Sequence, residues 1–126
     1  KNTDQIVSHW IRELMIKTPG PHAKAATLSG GNQQKVVLAK WLEIKPDVII
    51  MNEPTRGIDV GSKSEIYRLL DRLCAEGVSI IMITSEMPEL LAMSDHVIVM
   101  HDHKLQAAFS QDELTETNIM TAAIGG

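Results

Sequence analysis

Two short stretches of this chain carry residue types suited to handling a phosphate. Residues 28–35 read Leu-Ser-Gly-Gly-Asn-Gln-Gln-Lys and lead into a helix-forming run from Gln33 to Ile44. Ser29 is placed to cap that helix. Gly30 and Gly31 put no side chain in the way of a close approach to the backbone. The unpaired N–H groups and the positive end of the helix dipole then face whatever lies in front, and phosphate is the usual guest. The second stretch, Asn52-Glu53-Pro54-Thr55-Arg56-Gly57-Ile58-Asp59, follows the apolar run Val48–Met51. A carboxylate at the end of a buried strand can face a nucleotide's metal ion or polarise an attacking water. Taken alone, Glu53 reads as a solubilising loop residue; beside residues 28–35 it reads as functional.

The elements that must position these residues follow from periodicity and breakers. A helix is expected from Thr3 to Ile16, with Ile6, Trp10, Ile11 and Leu14 on one face. Thr18-Pro19-Gly20-Pro21 ends it and opens a loop to Ser29. The second helix runs to about Ile44 and stops at Lys45-Pro46. Val48–Met51 is expected as a fully buried strand. Asn52–Gly61 reads as loop, Lys63–Ala75 as a helix with Ile66, Leu69, Leu70 and Leu73 inward. Val78–Ile83 reads as a second buried strand, and Glu86–Met93 as a short helix with Pro88 tolerated in its first turn. Strands at Val97–Met100 and Lys104–Phe109 and a helix at Thr115–Ile124 complete the series. Strands alternating with helices imply an α/β fold with a mainly parallel sheet, whose ligands gather at the carboxyl ends of the strands.

The 126 residues suffice for one modest domain, and a composition 44% hydrophobic and 22% charged is that of a globular chain. A formal net charge of −4 without any basic block gives no support for nucleic-acid binding. The single cysteine, Cys74, excludes an internal disulfide and is expected on the apolar side of its helix. No apolar run is long enough to span a bilayer and no secretory signal opens the chain, so a membrane role would come through a partner. His101-Asp102-His103 reads as a solvated turn rather than a metal site. Trp10 and Trp41 are expected in packing rather than stacked on a base, the methionines as core filling, and Glu86 as a cap or charge in the first turn of its helix. The abrupt opening suggests a C-terminal fragment.

Taken together, the two stretches resemble the ATP-binding-cassette ATPases in order and spacing: signature, helix, Walker B strand, acidic residue, D-loop. The Asn-Gln-Gln-Lys form, Thr55-Arg56-Gly57-Ile58-Asp59-Val60-Gly61 and Glu86-Met87-Pro88-Glu89-Leu90-Leu91 are similar to simple-sugar importers of the ribose, galactose and xylose type, in the C-terminal half of their second nucleotide-binding domain. The resemblance covers essentially the whole chain. It implies a partial P-loop NTPase (RecA-like) fold with a remnant of the helical signature subdomain. Residues 1–28 would end that subdomain, 29–110 would form the signature, Walker B, D-loop and H-loop core, and 111–126 a C-terminal helix.

Three departures narrow what the resemblance implies. No Gly-x-x-x-x-Gly-Lys-Ser/Thr occurs; Gly57–Lys63 has the wrong order and spacing and leaves a D-loop rather than a strand. Asn52 stands where the Walker B aspartate is expected, removing a charge that favours Mg²⁺. Ser85 stands where the switch histidine is expected. In the family each ATP lies between one domain's P-loop and the other's signature. Ser29, Gly30, Gly31, Asn32, Gln33 and Asp59 would then contact a nucleotide held by a partner domain, and Glu53 would be the catalytic carboxylate of a weaker site. The implied intact protein is an ATPase using ATP and Mg²⁺, docked on transmembrane permease subunits at the cytoplasmic face of the membrane and driving carbohydrate import. The isolated chain is expected to bind ATP weakly and hydrolyse it negligibly. An open sheet edge would favour self-association. The alternative is a non-catalytic interaction or regulatory module derived from such an ATPase; a soluble cassette of the translation-factor kind fits poorly, for want of a basic linker or tail.

Overall fold

A computed structural model describes residues 2–125; Lys1 and Gly126, the outer residues of the first and last expected segments, lie outside it. The elements run α1 (Asn2–Glu13), a 3-10 turn (Ala25–Thr27), α2 (Gly30–Leu42), β1 (Val48–Asn52), α3 (Val60–Ala75), β2 (Ser79–Ile83), α4 (Met87–Met93), β3 (His96–His101), β4 (Lys104–Ser110), a second 3-10 turn (Gln111–Glu113) and α5 (Glu116–Ala123). They form two compact units, divided between Ile83 and Thr84.

In the first unit β1 and β2 pair in parallel, Val48 against Ser79 through to Asn52 against Ile83. Helix α3 packs on α2 and on β2. Leu38 and Leu42 of α2, Ile49 and Met51 of β1, and Ile66, Leu69, Leu70 and Leu73 of α3 are buried. The 3.6-residue period of α3 and the alternation of β1 together put one face of each element into this core.

Helix α1 stops at Glu13, earlier than its apolar pattern suggests. Met15 adopts a left-handed backbone, φ 52°. The Ile16 N–H then reaches back to the Ile11 carbonyl at 2.9 Å, and the Met15 N–H to that of Arg12 at 3.2 Å. This is a Schellman closure with methionine at the position glycine usually fills. Helix α3 conversely begins earlier than expected, because Asp59 caps it and Val60 and Gly61 are already helical.

The expectation of fully buried strands does not hold. In β1 only alternate residues are buried, and Ile50 is 68% exposed. Val48, Ile50, Ile81 and Ile83 form an apolar sheet face that no described element of this unit covers. A continuous apolar run marks a strand built for cover on both faces, and here one face has it. Three smaller expectations also change. Cys74 is exposed on α3 rather than turned into the apolar side. Trp41 is 50% exposed, with the Lys40 ammonium 5.4 Å from its ring centroid, and is not a core residue of this unit. Met15, Met100 and Met120 are exposed rather than core filling. Trp10 is half-buried and donates its indole N–H to Glu43.

The second unit is a β3–β4 hairpin with α5 packed on it. Val97, Val99, Ile119 and Ala122 form its core, with Phe109, Leu114 and Leu90 against them. Asp102 and His103 make the two-residue turn, both at positive φ (49° and 63°), as a primed hairpin turn demands. His101 instead reaches α5, its Nδ1 lying 3.0 Å from the Ala123 carbonyl.

Candidate functional site

Ser29 takes the N-cap position of α2 with extended backbone, φ −63° and ψ 161°. Its Oγ accepts from the Asn32 N–H at 3.3 Å and from Asn32 Nδ2 at 2.9 Å. Its carbonyl accepts the Gln33 N–H at 2.8 Å. Among the described residues no partner takes the N–H of Gly30. Ser29 and Gly30 are exposed, so a neutral hydroxyl and the open end of a 13-residue helix dipole face outward.

The two glycines do different things. A Cβ on Gly30 would lie 3.6 Å from the Gly57 carbonyl oxygen and 3.8 Å from Ile58, ordinary contact. A Cβ on Gly31 would lie 2.5 Å from Ser62 Cβ and 2.7 Å from its Oγ. Gly31 is buried because the start of α3 is seated directly on it. The residue types that sequence reasoning assigned to ligand approach therefore also weld the 28–35 stretch to the 52–62 stretch.

Asp59 is the N-cap of α3. Its Oδ1 accepts the Ser62 N–H at 2.9 Å and its Oδ2 accepts from Ser62 Oγ at 3.2 Å. The Ser62 N–H bond, with further help from the Ser62 hydroxyl and the Gly61 N–H, holds the Asp59 carboxyl below the usual carboxylate range. Gln33 turns its Nε2 back to the Leu28 carbonyl at 2.8 Å. Both amide ends of Asn32 are engaged within the fold, Oδ1 accepting the Lys17 N–H at 3.0 Å.

Glu53 lies at the carboxyl end of β1 in a left-handed backbone, φ 49°. A non-glycine residue pays about 1–2 kcal/mol for this conformation. The Glu53 N–H donates to the Ile83 carbonyl at 2.7 Å, which ties the turn to β2. Asn52, the last residue of β1, is exposed and in register with Ile83. Ser85 belongs to the second unit, where it precedes the N-cap of α4. That cap is Glu86, which makes no side-chain bond to the helix start. The geometry thus brings Gly30 and Gly31 against Gly57, Ile58 and Ser62, at the end of the loop and the start of α3.

Sequence reasoning passed over Lys35. It is 2% exposed, and its ammonium donates to Glu65 Oε2 at 3.1 Å and to the Met15 carbonyl at 3.3 Å. The signal was present: Lys35 stands four residues after Gly31 and three before Leu38, on the buried face of α2.

The start of α2 exposes one hydroxyl and the Gly30 backbone. Among the described residues no three histidine, cysteine or acidic side chains group to hold a metal ion. None of the described helices is long and apolar enough to cross a membrane.

No protein-family model matches the chain. It is 51% identical over all 126 residues to the ribose import ATP-binding protein RbsA of Bacillus licheniformis, covering 26% of that protein. It is 53% identical over 117 residues, 93% of the chain and 23% of the relative, to the xylose import ATP-binding protein XylG of Thermoanaerobacter pseudethanolicus. The chain therefore spans about a quarter of the length of the curated relatives it matches. Among solved structures, the whole chain superposes with a TM-score of 0.83 on half (51%) of a nucleotide-free ATP-binding cassette from an ABC transporter, at 22% identity. An ATP-binding cassette of an ABC transporter in its ADP conformation gives 0.81 over the whole chain and 51% of that structure, at 24% identity. Its similarity, along the whole of this chain, to sugar-import ATP-binding proteins and its cassette fold place it in the ATP-binding-cassette ATPase family, as a stretch equivalent to about a quarter of those relatives.

Proposed function

We propose that this chain supplies the signature half of an ATP site in a sugar-import ATPase. The observation that carries the reading is the start of α2: an exposed, neutral Ser29 cap and an exposed Gly30, locked through Gly31 onto the loop after β1. Ser29 would donate its hydroxyl to the terminal phosphate of a nucleotide held by the P-loop of a partner domain. Gly30 and Gly31 would add backbone N–H groups and the dipole. Asn32 and Gln33 shape this end from within the fold, and Asp59 closes the neighbouring loop. Glu53 is the candidate catalytic carboxylate, beside Asn52 where a Mg²⁺-binding aspartate would otherwise stand. The intact protein would hydrolyse ATP with Mg²⁺ at the cytoplasmic face of a membrane, bound to permease subunits, to import a carbohydrate. Residues 1–28, 29–110 and 111–126 would be its helical remnant, core and terminal helix.

The absence of a P-loop sequence makes the isolated chain a weak binder on this reading. Titration with a non-hydrolysable ATP analogue should give no saturation at micromolar ligand, and ATP should not turn over. Adding a P-loop-bearing nucleotide-binding domain should restore tight binding. Tight one-to-one binding by the chain alone contradicts the proposal.

A second reading, a non-catalytic interaction module, is favoured by one observation, the uncovered face of Val48, Ile50, Ile81 and Ile83. Such a surface also supports self-association of the isolated chain. The module reading requires partner binding that is indifferent to nucleotide; binding to the P-loop domain that appears only with ATP present rules it out.

A further inference from the structure

Helix α1 ends in a strained turn, and two residues of α2 hold that turn in place. Met15, left-handed at φ 52°, offers its carbonyl to the buried Lys35 ammonium at 3.3 Å. Lys17 offers its N–H to Asn32 Oδ1 at 3.0 Å. Asn32 and Lys35 are three residues apart on one helix and so share a face. Non-glycine residues stay in a left-handed conformation only where their surroundings over-determine it; these two bonds, with the Schellman closure, do so here.

The Lys17 bond also settles which way the Asn32 amide points. A backbone N–H can only donate, so the oxygen of Asn32 faces Lys17 and the NH₂ faces Ser29. Ser29 Oγ therefore accepts twice, from Asn32 Nδ2 at 2.9 Å and from the Asn32 N–H at 3.3 Å. A hydroxyl has two acceptor positions and one donor. With both acceptor positions occupied, the hydroxyl proton of Ser29 is directed away from α2, as a donor to an incoming anion.

We propose that Asn32 and Lys35 are positioning residues: they latch the Met15–Lys17 turn to the start of α2, and through that latch Asn32 fixes Ser29 as a hydrogen-bond donor. This rests on the reading of Ser29 as a phosphate contact. It differs from a direct nucleotide contact by Asn32, because both ends of the amide are already engaged. Lys35 adds the tie to α3 through Glu65 Oε2 at 3.1 Å, so one ammonium joins the turn, α2 and α3.

The test uses the intact ATP-binding protein that carries this segment, assembled with its permease. Ser29→Ala should lower kcat by about 100-fold, the size of one lost transition-state donor. Asn32→Ala should lower kcat by about 10-fold with the KM for ATP unchanged, since it weakens the donor without removing it. The double variant should be no slower than Ser29→Ala, because Asn32 acts only through Ser29. Independent losses that multiply in the double variant, or a raised KM in Asn32→Ala, overturn the proposal. Should Ser29→Ala leave kcat unchanged, the phosphate reading fails by itself. The latch is then judged by hydrogen exchange at the Lys17 amide, slow in the wild type and fast in Asn32→Ala. Equal exchange in the two proteins overturns it.

Discussion

Helices α2 and α3 start side by side in the first unit with almost the same backbone. Their caps, Ser29 and Asp59, are both extended, at φ −63° and −70° with ψ 161° and 163°. Each side chain accepts a backbone N–H three residues on. The electrostatics differ. Asp59 spends its two oxygens on Ser62 and places a full negative charge on the positive end of α3. Ser29 is neutral and leaves its hydroxyl proton and the dipole of α2 unspent. Of two adjacent helix starts with like geometry, one is already neutralised by its own cap and the other is open to an anion. Capping alone does not make an anion site; the charge of the cap decides.

The largest way to disturb this comparison is to cut what holds the two starts together. Lys35→Met leaves the Met15 carbonyl and Glu65 without their cation. Breaking a buried pair costs about 3–5 kcal/mol. The Glu65 side chain is 32% exposed and regains water, so the expected loss is about 2–3 kcal/mol, read by urea unfolding. A loss near zero would show that α2 and α3 keep their relation without the pair.

The two glycines give a sharper contrast. Gly31→Ala forces a Cβ into Ser62 and should cost about 2 kcal/mol, as overpacking does. Gly30→Ala meets only ordinary contacts and should be neutral or gain up to about 1 kcal/mol from helix propensity. Adding Ser62→Gly should recover most of the Gly31→Ala loss. Equal effects at both glycines would contradict the assignment of Gly31 to packing and Gly30 to the open surface.

The smallest effect lies at the charged cap. The folded pKa of Asp59 is lowered from 3.8, so its charge stabilises the fold fully above that value and the contribution is lost as pH falls through the folded pKa. Asp59→Asn keeps an acceptor but removes the charge. The stability gap between wild type and Asp59→Asn should be constant near neutral pH and close on acidification below 3.8. A gap that persists in strong acid would mean the charge is not what distinguishes α3 from α2.

The helix start at Ser29 was readable because capping, glycine and helix-forming run are local signals in consecutive residues. Glu53 was readable as the first carboxylate after an apolar run, one residue beyond Asn52. The division after Ile83 was not, since no glycine or proline marks it and both sides are apolar or polar in the ordinary way. The early start of α3 was hidden by Gly57 and Gly61, which look like loop; only the Asp59–Ser62 bonds show that the helix has begun. Met15 and Lys35 were missed for a related reason. A left-handed methionine and a buried lysine each contradict local preference, and each is stabilised by the other across 20 residues. Tertiary contacts of that range leave no trace in propensity.

The central claim is that Ser29 faces a nucleotide held by another domain. The most direct measurement is the ATPase rate of the intact, permease-assembled protein carrying Ser29→Arg, with assembly followed in parallel by co-purification. The account predicts that hydrolysis coupled to transport is abolished while the subunits still assemble, because a long cation fills the space of the terminal phosphate without touching the core. Wild-type hydrolysis by the assembled Ser29→Arg protein would contradict it.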